Sequence, residues 1–103
     1  MTLADLQKMV NDMKMGLGPL RDFQKAALTG LEEGPAEHAA FFRLLADLAG
    51  RFIDLYDEVP LWQAEASARH DELRRLVDGA VDSLTQSVEV QLRALNILAA
   101  AKF

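Results

Sequence analysis

Phe41, Leu45, Leu48, Phe52, Leu55 and Val59 recur at alternating spacings of four and three. An α-helix, at 3.6 residues per turn, puts such positions on one face. A second stripe runs beside the first through Phe42, Ala46, Ala49, Ile53 and Tyr56, and Leu44 widens the face further. Polar residues are confined to one narrow line: Arg43, Asp47, Arg51, Asp54 and Glu58. A helix with so wide an apolar arc has to be covered on two sides. It is therefore expected to be the central helix of a bundle, or to meet a second subunit as well. Phe41, Leu45, Leu48 and Phe52 are the predicted heart of the core.

The rest of the chain is consistent with that demand. Leu and Ala are the commonest residues, whereas Val, Ile and Thr are scarce. Such a composition keeps helices inexpensive and gives a sheet little to build with. Half of the 103 residues are apolar and 26% are charged, the proportions of a folded domain rather than a disordered segment. That length suits one domain spanning residues 1–103.

Breaker residues divide the chain at Gly16-Leu17-Gly18-Pro19, at Gly34-Pro35 and at Pro60. In the first segment Thr2 with Asp5 marks a helix start. Leu3, Leu6, Val10, Met13, Leu17 and Leu20 then hold one face, and the phase continues through Phe23, Ala27 and Leu31. Two short helices following one surface are expected there. In the third segment Leu73, Val77, Ala80, Leu84, Val88, Leu95 and Leu98 lie close to one face. Gly79 within it is expected to admit a close neighbour. Residues 62–72 have Trp62 as their one large apolar group, and they read as a weakly anchored extension or turn with Ser67 as an N-cap. The expected fold is all-α: an up-and-down bundle of three long helices, the first broken near Pro19, so effectively three to four helices. A straight helix over residues 61–101 would be roughly 60 Å long, against about 36 Å for the central segment. That surplus predicts self-association.

Candidate chemistry is sparse. With no cysteine, disulfides, thiolate metal sites and cysteine nucleophiles are excluded. His38 and His70 are the only histidines, and both read as ordinary surface groups. Histidine phosphotransfer domains are small helical bundles of similar size, with a lysine and a glycine shortly after the histidine. Neither His38-Ala39-Ala40-Phe41-Phe42-Arg43 nor His70-Asp71-Glu72-Leu73-Arg74-Arg75 has that pattern. Asp54, Asp57 and Glu58 share a helix face and could hold a hard cation, although a solvated acidic helix end is the plainer reading. A carboxylate-bridged dimetal bundle needs Glu-x-x-His pairs, and the chain has none. Met9 and Met13, one turn apart, read as core filling, with Met15 nearby. Gly16-Leu17-Gly18-Pro19 lacks the lysine and hydroxyl residue of a phosphate loop. No nucleophile–base–acid set stands out.

A net charge of −5 argues against nucleic acid as a partner. No apolar run approaches the ~18 residues of a membrane span, and the first residues lack a signal-peptide pattern. A cytoplasmic location without membrane contact is therefore expected. The functional expectation is a non-enzymatic helical interaction module, an assembly factor, adaptor or chaperone-like protein. It would have no catalytic residues, cofactor or metal, would form a homodimer and could bind a further protein partner. Trp62, Leu92, Leu95 and Leu98 are the candidate contacts, with Ala99 beside them. The alternative is a small-ligand or metal-binding bundle using His38, His70 or the acidic cluster, or else a histidine phosphotransfer-type module.

Overall fold

The computed structural model describes residues 1–58 and 63–102. Five α-helices follow one another: α1 (Leu3–Asp12), α2 (Leu17–Glu33), α3 (Ala39–Glu58), α4 (Gln63–Ser83) and α5 (Val88–Ala100). A 3-10 turn, Ala36–His38, leads into α3, and no strand occurs among the described residues. The expected all-α class holds. The break expected near Pro19 is present, between α1 and α2; the count of three to four helices is exceeded because the third segment breaks as well, between α4 and α5.

The first break lies ahead of Pro19. Thr2 caps α1 with its hydroxyl accepting from the Asp5 N–H at 3.2 Å, and the Asp5 carboxylate accepts from the Thr2 N–H at 2.8 Å. That reciprocal box satisfies two donors at the helix start, and it holds the Asp5 carboxyl below its ordinary pKa. The helix ends at Met13 in extended backbone, and Gly16 takes φ +144°. Residues with a Cβ rarely adopt that conformation, so Gly16 is where the chain turns. Pro19 is the third residue of α2, where a missing N–H costs no ladder bond.

The second break falls between α4 and α5, inside the stretch expected to be one long helix. The N–H of Leu84 donates to the Val81 carbonyl at 3.1 Å and that of Gln86 to Ser83 at 3.0 Å. Ser87 then starts α5, its hydroxyl accepting from the Val90 N–H at 3.3 Å. Ser67, expected as an N-cap, lies inside α4 instead. With α3 at 20 residues and α4 at 21, the length surplus that suggested self-association is not there.

The most extensive pairing is α2 on α3, followed by α1 on α4, with α5 resting on α4 and α3. Gly30 of α2 lies under the Phe42 ring of α3. Gln7 on α1 donates to the Asp78 carboxylate on α4 at 2.9 Å. The core draws on all five helices: Leu6 and Val10, Phe23 and Ala27, Phe41 to Phe52, Leu73 and Val77, and Leu98. Phe41, Leu45, Leu48 and Phe52 are each at most 1% exposed, as their spacing requires. Each such side chain contributes about 1.5–3 kcal/mol by leaving water. Met9 and Met13 pack against this core half-buried.

Candidate functional site

Most of α5 is uncovered. Leu98 is its one buried residue, at 2% exposure, while Leu92 and Ile97 are each 56% exposed and Val88 is 79% exposed. The helical repeat explains how one short helix can be both docked and bare. Val88, Leu92, Leu95 and Ala99 follow spacings of four, three and four along one flank. Val90, Ala94 and Ile97, spaced four and three, lie along the other flank. The docked side, carrying Leu98, lies between the two.

The second flank forms one wall of an open groove of about 300 Å³. Leu76, Gly79 and Ala80 of α4 face Val90, Ala94 and Ile97 of α5 across it, and Arg75, Asp82 and Arg93 stand at its edge. Gly79 does not serve a close approach, as expected from the sequence; it faces open space with nothing within 4 Å of where its Cβ would be. Of the predicted contact residues, Leu92 is exposed, Leu95 is half-buried and Leu98 is in the core. Trp62 lies outside the described residues. Sequence reasoning missed Val90 and Ile97, although their spacing of four and three with Ala94 was there to be read.

His70 also departs from its expected surface position. It is 6% exposed, beside Met13, Leu20, Phe52 and Tyr56. Arg74 reaches its Nδ1 at 3.4 Å, and the ring's Nε2 has no hydrogen bond of good geometry. Burial holds the His70 pKa below its ordinary value and the Arg74 charge adds to this, while Asp71 and the Val10 carbonyl act in the opposite sense. His38 is half-buried, edge-on to Phe41 with ring centroids 6.5 Å apart. His38 and Phe52 are fourteen positions apart, roughly 21 Å of helix, so the two histidines lie near different ends of α3.

Asp54 is exposed, and the side chains of Asp57 and Glu58 lie outside the described residues. Among the described residues no group of three or more His, Asp or Glu side chains is placed to hold a metal ion. No helix among them is long and apolar enough to cross a membrane. Comparison with family models, with curated proteins and with solved structures gave no match to this chain.

Proposed function

We propose that the protein is a non-enzymatic interaction module, a single helical domain over residues 1–103 that works through α5 and pairs with a second copy of itself. The observation that carries this reading is the bare flank of Val88 and Leu92, 79% and 56% exposed, on a helix already docked by Leu98. Contiguous apolar surface of this kind on a small domain marks a contact site. A stripe spaced four, three and four is the seam by which two helices pair, and a two-fold axis lets one stripe serve both partners. Charge favours a second copy too. The chain carries −5 overall, yet α5 holds only Glu89 and Arg93 as charged groups. Two copies can therefore meet there without the repulsion that their other surfaces would bring.

The test is Leu92→Asp, at a position where the isolated fold loses little. Light scattering coupled to size exclusion should show dimer for the unaltered chain and monomer for the variant. An unchanged mass would remove the Leu92 flank from the contact.

The groove supports a second reading, a small apolar ligand held between α4 and α5. Its volume of about 300 Å³ reaches the lower end of small-molecule sites. Native mass spectrometry of freshly purified protein would then show an added mass, and the bare chain mass would count against it.

A further inference from the structure

The turn between α4 and α5 interrupts a helical pattern that no residue forces to stop. Leu84, Thr85, Gln86 and Ser87 include neither glycine nor proline, and no residue among them has positive φ. Val77, Ala80, Leu84, Val88, Leu92, Leu95 and Ala99 carry spacings of three and four straight through the turn. The turn is closed by local bonds: two backbone bonds back to Val81 and Ser83, the Gln86 amide donating to the Asp82 carbonyl at 3.1 Å, and the Ser87 cap. Beyond it, α5 is held by Leu98 in the core, by Ala94 and Leu95 packed half-buried against it, and by the Arg51 guanidinium donating to the Ala101 carbonyl at 3.3 Å.

We infer that α5 is exchanged between two copies. Residues 84–87 become helical, α4 and α5 join into one helix over residues 63–100, and each α5 docks on the α3 and α4 of the other chain. This rests on the self-association proposed above and gives it a form. A continuous helix of that span is about 57 Å long, which carries α5 away from its own α3. The exchanged and closed forms make the same α5 contacts, Leu98 in the core and Arg51 on the Ala101 carbonyl among them, so docking itself does not choose between them. The choice is made at the turn. Opening it gives up the Ser87 cap, the local bonds and the packing of half-buried Leu84 against its own core. In return the helical ladder runs through residues 84–87, and Leu84 and Val88 of the two chains meet where the long helices pass. Val88, 79% exposed in the closed form, is thereby covered.

The chain has no cysteine, so introduced thiols are its only ones. Arg51→Cys with Ala101→Cys places two thiols where α3 meets the end of α5, within reach of a short bis-maleimide. Circular dichroism first establishes that the variant is helical. At a concentration where light scattering shows dimer, cross-linking should give covalent dimers on a denaturing gel. Four Gly-Ser residues inserted after Gln86, in the same double variant, should return monomers linked within one chain. A dimeric sample that cross-links within single chains would overturn the exchange and leave pairing through the α5 surface standing. A dimer that keeps its cross-chain link after the insertion would also overturn it. A monomer at every concentration would remove the exchange together with self-association.

Discussion

Gly30 lies beneath the ring of Phe42, so near that a Cβ on the glycine would come within 2.7 Å of Cζ and nearer still to Cε1 and Cδ1. Both residues are buried, and they sit on the helices with the most extensive contact in the molecule. Gly30→Ala should therefore destabilise. Alanine gains about 1 kcal/mol of helix propensity over glycine. Moving a fully buried aromatic ring in a packed core costs about 1–3 kcal/mol, and a backbone shift in α2 adds to that. Chemical denaturation should show a net loss, and a stabilised variant would mean that Phe42 has room to turn aside.

On α3, Leu48 and Asp47 are neighbours in sequence with opposite environments. Leu48 is 1% exposed, whereas Asp47 is exposed and pairs with Arg43 at 3.4 Å. Leu48→Ala should cost about 2–5 kcal/mol. Asp47→Ala should cost about half a kcal/mol or less, the worth of an exposed pair one turn apart. Equal losses in urea titrations would place the helical phase wrongly.

His70 should make stability depend on pH. Its folded-state pKa is held below the ordinary 6.5, chiefly by burial and then by Arg74, so the folded chain favours the neutral ring. The unfolded chain binds the proton more readily, and stability therefore rises with pH through this window. The contribution is complete above about pH 6.5 and is lost as pH falls through the lowered value. His70→Gln should show a smaller loss of denaturation midpoint between pH 7.5 and pH 5 than the unaltered chain. Identical losses would mean that the ring is as well solvated folded as unfolded.

The α3 core was legible in the sequence because its signal is local and dense. Phe41, Leu45, Leu48 and Phe52 repeat on one face with no proline among them, and burial follows from the period alone. The break after α4 was not legible in the same way. Leu84 to Ser87 contain no glycine or proline, and the apolar phase continues across them; the one local sign is the Ser87 cap three residues ahead of Val90. The first break was legible: the chain turns at Gly16, the first residue of the Gly16-Leu17-Gly18-Pro19 breaker, where positive φ is required, and Pro19 in the first turn of α2 costs no hydrogen bond.

Non-local packing accounts for the other differences. His70 lies beside Met13 at the end of α1, Leu20 of α2, and Phe52 and Tyr56 of α3, and nothing adjacent to it in sequence signals that company. The same holds for the glycines. Gly30, unlike Gly79, is a position of close approach, because the matching Phe42 arrives from α3. At the candidate site, the apolar character of α5 was plain from Leu92, Leu95 and Leu98. Which of the three faces outward depends on how α5 docks, and the docking sends Leu98 into the core and leaves Leu92 in water.

Self-association through α5 is most directly tested by sedimentation equilibrium of the unaltered chain over a hundredfold range of concentration. The mass should rise toward twice the 11.4 kDa of one chain as concentration increases. A mass that stays at 11.4 kDa across the whole range would contradict the pairing and leave the bare flank of Val88 and Leu92 without a second copy to cover it.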